Sequence, residues 1–229
     1  MHFAEFCHAA ELGMRVGDNL LHAFAAPLMN REHEITQLDC LHRTVEHHPL
    51  PPGLTLVHCD TGLRDPRRGL HRSRFDALCR QVGERAGLRS LRSVSVEDVN
   101  KALAKMEPAH RGAARFVAGE CARIVLAEQS LRRGEIGQFG ECLFQSHAAA
   151  RAEAGLSVPE LDLLVEEARA HPGCIGARFA GSGSDGGTLN LVAWTQVDSF
   201  VASMKNVFAR ATGRVLESRR LKVVAGADG

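Results

Sequence analysis

The stretch most able to do chemistry is rich in glycine, and residues 176–187 read G-A-R-F-A-G-S-G-S-D-G-G. Glycine tolerates positive φ and lets backbone N–H groups come close to an anion. Runs on both sides predict β-strands, so these residues form either an anion-binding turn or an ordinary hairpin. In the anion-binding interpretation, a phosphate or sugar oxygen contacts the residues Gly181, Ser182, Gly183, Gly186 and Gly187. Asp185 in the same turn would repel an anion.

A second candidate group lies at the end of a predicted strand, where the chain reads Asp60-Thr61-Gly62. The carboxylate either faces a cleft or forms an Asx-type turn. The arginine-rich segment 64–92 that follows could bind phosphate through its guanidinium groups, although such runs are more often a solvated helix face. Beyond Phe75 it contains no aromatic residue, which disfavours a nucleic-acid platform.

Histidines offer weaker candidates. The chain has twelve of them, but no spacing matches a zinc signature, so we expect no bound metal. His22 could act as a base, although a histidine on a helix face is more often packed or solvated. The pair Ser146-His147 has no partnered acid in the sequence, so a hydrolase triad is not predicted.

Composition limits the partners and the compartment. The 229 residues are 45% hydrophobic with a formal net charge of +1, so the chain can bury a core, and its overall charge favours neither nucleic acid nor a membrane. Seven cysteines are odd in number and form no Cys-x-x-Cys, which predicts buried or free thiols in a reducing cytoplasm. No apolar run approaches the ~20 residues that span a bilayer, and the first residues are unlike a signal peptide.

Hydrophobic periodicity predicts the elements that would position these groups. Proline and glycine at 49–53 mark a domain boundary, with a strand pair at 35–40 and 44–48 before it. After it the pattern predicts strands at 54–60, 175–181, 188–194 and 220–225, and helices at 68–87, 95–106, 109–132, 135–153, 158–170 and 197–212. This order predicts an α+β fold, with helices on one face of an antiparallel sheet.

Several segments together resemble the galactokinases of the GHMP family of small-molecule kinases. They are Arg31–Cys40, Leu54–Gly62, Phe116–Glu120, G-E-I-G-Q-F-G-E-C-L-F-Q-S-H at 134–147, L-S-V-P-E-L-D at 156–162 and the glycine-rich stretch. The resemblance implies a GHMP-kinase C-terminal-type domain at 53–229, preceded by a remnant of the N-terminal domain at 1–52. It implies a kinase that uses ATP and Mg²⁺ to phosphorylate the anomeric hydroxyl of a sugar. It also places four residues near that sugar, namely Asp60, Gly62, His71 and Arg72.

The chain also departs from that family. It contains neither G-E-H-x-D nor G-L-S-S-S, the motifs that bind sugar and triphosphate, and Ala23 stands where the catalytic aspartate is expected. Asp18 and His22 are the nearby candidates for a catalytic group. We therefore expect a truncated galactokinase-like polypeptide that is inactive alone, a pseudoenzyme in that sense, or alternatively a non-catalytic binding protein that keeps the fold. Apolar side chains on helices within 3–29 predict a homodimer or a partner chain that covers them.

Overall fold

A computed structural model describes residues 28–39, 42, 44–63, 67–88, 91, 95, 97, 105–181 and 186–227. The chain divides into two compact units. The described residues up to Pro52, together with those from Lys222 onward, form the first unit, and Gly53–Leu221 form the second. The identity of residues 1–52 as a remnant of a kinase N-terminal domain stays a prediction.

The first unit contains an antiparallel strand pair. Strand β1 is Glu34–Asp39 and strand β2 is Thr44–Pro49, with Glu34 opposite Pro49. The end of the chain lies beside this pair, because His33 donates its N–H to the carbonyl oxygen of Val223 at 3.4 Å and Gly226 donates to Asn30 at 2.8 Å. These backbone bonds explain why residues after Leu221 belong to the first unit.

The second unit combines helices with the strands of one sheet. In chain order its elements are β3 Leu54–Asp60, α1 Arg67–Ala86, α2 Pro108–Arg133, α3 Ile136–Ala149, α4 Pro159–Ala170, β4 Cys174–Phe179, β5 Gly187–Ala193, α5 Val197–Thr212 and β6 Glu217–Leu221. A π-helical turn, Ala150–Ala154, extends α3. Most of the predicted helix at 95–106 lies outside the described residues. Among those described, no helix combines the length and apolar character needed to cross a membrane.

The sheet has the strand order β4-β5-β3-β6, and every neighbouring pair is antiparallel. Val57 of β3 lies opposite Asn190 of β5, which lies opposite Ala177 of β4. Because side chains alternate along a strand, this register defines one face of the sheet. The face packs against α3, α4 and α5 in a core made of Val57, Cys59, Ala177, Val192, Phe144, Leu164, Val165, Ala168, Phe200, Met204, Phe208 and Leu216. The predicted α+β fold is confirmed.

Two further contacts hold α1, α2 and α3 in place around β4. Phe75 of α1 and Phe116 of α2 pack edge to face, with ring centroids 5.5 Å apart, in a cluster that also contains Phe179 at the end of β4. Helix α3 approaches β4 through glycine, since a Cβ on Gly176 would lie 2.6 Å from the Cα of Gly140. Such backbone-to-backbone packing fixes the distance between α3 and β4.

Candidate functional site

The end of β3 is fastened to the glycine-rich turn. Asp60, the last residue of β3, pairs with Gly187, the first residue of β5. The next residue, Thr61, is 2% exposed. Its backbone N–H donates to the carbonyl oxygen of Gly186 at 2.9 Å, and its hydroxyl donates to the same oxygen. Residues 60–62 therefore meet Gly186 and Gly187, the described end of the glycine-rich segment, at one end of the sheet.

Asp60 and Gly62 form a tight turn at this junction. The Oδ1 atom of Asp60 accepts the N–H of Gly62 at 2.9 Å, and Thr61 Oγ1 accepts the N–H of Leu63 at 3.2 Å. The Asx-type turn, one of the two alternatives for Asp60, is thus present. Asp60 is half-buried, so its carboxylate lies at the surface end of the sheet rather than in the core.

The described ends of the glycine-rich turn need glycine for two different reasons. Gly186 has φ +71°, a conformation that side chains other than glycine rarely adopt. At Gly187 the reason is space, because a Cβ would overlap Nε2 of His58 and lie 2.8 Å from the carbonyl oxygen of Cys59. Sequence analysis missed both Thr61 as the fastening residue and His58 as the side chain that occupies this space.

The carbonyl groups at the described ends of this turn matter for phosphate binding, because a free carbonyl oxygen would repel the anion. Gly186 accepts from Thr61, and Gly187 accepts the N–H of Ala180 at 2.8 Å. The carbonyl groups of Gly186 and Gly187 are therefore engaged inside the fold, and binding of an anion by the turn stays a prediction. Within the described ranges, no set of three or more His, Cys, Asp or Glu side chains is placed to hold a metal ion.

Other predicted site residues are located only in part. His71 and Arg72 lie in the second turn of α1, but their side chains are outside what the structure describes. Ser182 and Gly183 fall outside the described residues, as do Asp18 and His22. The structure thus brings together Asp60, Gly62, Gly186 and Gly187, and Gly181 follows Ala180, whose N–H bonds Gly187. Their assignment to nucleotide or sugar stays a prediction.

A buried histidine adjoins the other end of the turn. His147 of α3 is 4% exposed. Its Nδ1 accepts the backbone N–H of Phe179 at 3.2 Å, and its Nε2 lies 3.0 Å from Oδ1 of Asp162. Ser157 donates its hydroxyl to the same Oδ1 at 2.6 Å, and Nε of Arg151 lies 3.2 Å from Oδ2. This network joins α3, α4 and the last residue of β4.

These contacts fix the chemical state of His147. Because Nδ1 accepts a backbone N–H it carries no proton, so the ring is neutral and donates from Nε2 to Asp162. Burial lowers the pKa of His147 below its ordinary value, against the opposing effect of Asp162. Ser146 points elsewhere and donates to Oε2 of Glu120 at 2.8 Å. Ser146, His147 and Asp162 thus do not form a hydrolase triad. The acid partner of His147 is Asp162, in the stretch 156–162, and the sequence alone does not connect these two residues.

Comparison with known proteins defines the class of this domain. Residues 127–199 match the family model described as GHMP kinases C terminal, which covers α3, α4, β4, β5 and the turn between the two strands. The fold and this match show that residues 127–199 resemble the C-terminal domain of GHMP kinases.

Within that class, the chain is similar to galactokinases. It is 33% identical over 188 residues to the galactokinase of Chloroflexus aggregans (strain MD-66 / DSM 9485), over 79% of this chain and 47% of that protein. It is 32% identical over 195 residues to the galactokinase of Homo sapiens, over 82% of this chain and 48% of that protein. The chain spans about half the length of these curated relatives. The resemblance found in the sequence is confirmed.

Solved structures support the same fold. The crystal structure of Lactococcus lactis galactokinase complexed with galactose matches with a TM-score of 0.88 at 21% identity, over 97% of this chain and 59% of that one. The crystal structure of L. major mevalonate kinase in complex with R-mevalonate matches with a TM-score of 0.52 at 19% identity, over 85% of this chain and 49% of that one. At these identities the matches establish the fold alone.

Proposed function

We propose that this chain takes part in the ATP-dependent phosphorylation of a sugar at its anomeric hydroxyl, as a galactokinase-like polypeptide. The observation that carries the proposal is the junction of Asp60–Gly62 with the glycine-rich turn, fastened by Thr61. It occurs in a domain of the GHMP kinase C-terminal type whose curated relatives are named galactokinases. ATP would supply the phosphoryl group, with its charge countered by Mg²⁺.

In this proposal the two sides of the junction have different tasks. Backbone N–H groups of the turn from Gly181 to Gly187 approach the nucleotide phosphates. The carbonyl groups of Gly186 and Gly187, which would repel a phosphate, are bonded inside the fold. Asp60 and Gly62 contribute to the sugar side, together with His71 and Arg72 of α1, the helix that follows them in the sequence. Phosphoryl transfer depends mostly on positioning and electrostatics, so a rigid junction is the contribution this domain can make.

We further propose that the 229 residues alone do not complete the reaction. They contain neither G-L-S-S-S nor G-E-H-x-D, and Ala23 replaces the expected aspartate. Groups of this kind contribute orders of magnitude to rate. The transfer then requires additional groups, whether from further chain or from a second polypeptide.

Ligand titration followed by amide NMR tests the proposal. ATP with Mg²⁺ should shift the amides of Gly186 and Gly187, with a dissociation constant of about a millimolar, near −4 kcal/mol. A coupled assay of the 229-residue chain with galactose should show no turnover. Absence of any shift with ATP and with a panel of sugars would contradict the proposed function, and turnover near ~10 s⁻¹ would contradict inactivity of the chain alone.

A pair of glycine variants provides the matched control. Gly186 and Gly134 have nearly the same backbone conformation, with φ +71° and +72°, but Gly134 ends α2 away from the turn. Alanine costs about 1–2 kcal/mol in this conformation, so Gly186→Ala and Gly134→Ala should lose similar stability. The proposal requires that Gly186→Ala alone weakens the ATP-induced shifts.

The alternative is a non-catalytic binding protein that keeps the fold. Exposed apolar residues on α2 favour it, since Ile124 and Val125 are 54% and 52% exposed. A bound sugar without any response to ATP would support this alternative. A homodimer or partner chain over the early helices also remains a proposal, because those helices lie outside the described residues. A cytoplasmic location is proposed from the free thiols of Cys59, Cys142 and Cys174.

A further inference from the structure

The last residue of β4 is held by a side chain from a helix. Phe179 precedes the glycine-rich turn by one residue, Ala180, and lies opposite Thr188 on β5. Its backbone N–H donates to Nδ1 of His147 at 3.2 Å, and its ring lies 5.7 Å from the imidazole. The direction in which the chain enters the turn therefore depends on a contact with α3.

The imidazole is itself held from its other side. Asp162 of α4 accepts from Nε2 at 3.0 Å, and the same carboxylate accepts the hydroxyl of Ser157 and contacts Arg151. The residue is buried, so the ring has no room to turn without breaking both bonds. Two helices thus determine where one backbone N–H at the entrance of the turn is placed.

We propose that His147 is a positioning residue for the glycine-rich turn: its Nδ1 holds the backbone of Phe179 and so sets the positions of Gly181, Gly186 and Gly187, the described ends of that turn. The inference rests on the proposed function in one respect, namely that this turn contacts the nucleotide. The positioning itself can be measured without any ligand.

The two ring nitrogens have separate partners, which allows them to be tested separately. An asparagine carbonyl oxygen can occupy the place of Nδ1, so His147→Asn keeps an acceptor for Phe179 and loses the donor to Asp162. A glutamine amide reaches the place of Nε2, so His147→Gln keeps the donor and loses the acceptor. The matched control is His110→Gln, because His110 is also buried, lies on α2 and bonds Gln81 at 2.8 Å.

The experiment records amide ¹H–¹⁵N shifts of the full 229-residue chain without ligand. His147→Gln should displace the amides of Phe179, Gly181, Gly186 and Gly187, whereas His147→Asn and His110→Gln should leave them near their wild-type positions. Rescue by Asn separates positioning of the turn from a general loss of stability. If the Gln variant leaves these amides unchanged, or if the Asn variant displaces them as far as Gln does, the inference is wrong. If the Gln variant does not fold, His147→Ala takes its place in the comparison with His147→Asn, because alanine also removes the acceptor for Phe179.

A titration with ATP and Mg²⁺ separates this inference from the proposed function. We expect His147→Gln to weaken ATP binding about tenfold, which corresponds to ~1.4 kcal/mol. His147→Asn and His110→Gln should remain within about twofold of wild type. Displaced turn amides in a protein that never binds ATP would support the positioning role and contradict the proposed function. Wild-type ATP binding by the Gln variant would contradict the positioning role alone.

Discussion

The close contact between α3 and β4 predicts that Gly140→Ala destabilises the second unit. A Cβ on Gly140 would overlap the carbonyl oxygen of Ile175 and lie 2.6 Å from its carbonyl carbon. The obstructing atoms belong to the backbone, so no flexible side chain can move aside. Helix and strand would have to separate, and β4 leads directly into the glycine-rich turn.

Two opposing effects set the magnitude. Alanine within a helix favours the folded state by roughly 0.5–1 kcal/mol relative to glycine. Overpacking of a well-packed contact costs typically about 1–3 kcal/mol, occasionally more, and an overlap with backbone on both partners favours the upper end. The net loss should be about 2 kcal/mol. For a chain of this size that lowers the melting temperature by about 4–8 °C.

The assay is thermal and urea unfolding followed by fluorescence of Trp194, the single tryptophan, which follows β5 in the second unit. Gly137→Ala is the matched control, because Gly137 lies on the same helix where a Cβ would meet no described atom within 4 Å. This variant should be neutral or more stable by up to ~1 kcal/mol. If Gly140→Ala is as stable as wild type, the helix and strand are not in contact as described and the reasoning fails.

Three further predictions concern single side chains. Thr61→Val should cost about 0.5–1.5 kcal/mol, because the Gly186 carbonyl loses one of its two donors, and should speed amide exchange at Leu63, whose N–H loses its acceptor Oγ1. Thr61→Ser should stay close to wild type, and equal stability of the two variants would count against the fastening role. His147 has a pKa lowered from 6.5 by burial, so the folded state binds its proton less readily than the unfolded state does. The free energy of unfolding should therefore fall as the pH drops from about 6.5 through the lower folded-state pKa. The urea midpoint measured between pH 7 and pH 5 should depend less on pH in His147→Asn than in the wild type. An unchanged pH dependence in this variant would refute the prediction. Burial raises the pKa of Cys174 to about 12, so iodoacetamide at pH 8 should label this residue only after unfolding, and rapid labelling of the native protein would show that the thiol is accessible.

Most helices and strands could be predicted from the sequence alone, because an element with one buried face has apolar residues at regular spacing. The strand at 54–60 and the helix at 197–212 were predicted with the bounds that the structure has. The closing strand was placed too late, at 220–225 instead of Glu217–Leu221. This edge strand reads E-S-R-R-L and is mostly exposed, so backbone pairing with β3 holds it rather than an apolar face. The sequence prediction instead followed the apolar residues that come after this strand.

The candidate site was predictable only in its glycines and its acidic turn. Asp60 and Gly186 were chosen because turn residues and glycine have local signatures. Thr61 was not chosen, because its partner Gly186 is 125 residues away in the chain. The neighbours Ser146 and His147 diverge to Glu120 and Asp162. Which partner each side chain meets depends on helix rotation and strand register, and these are decided only when the core packs.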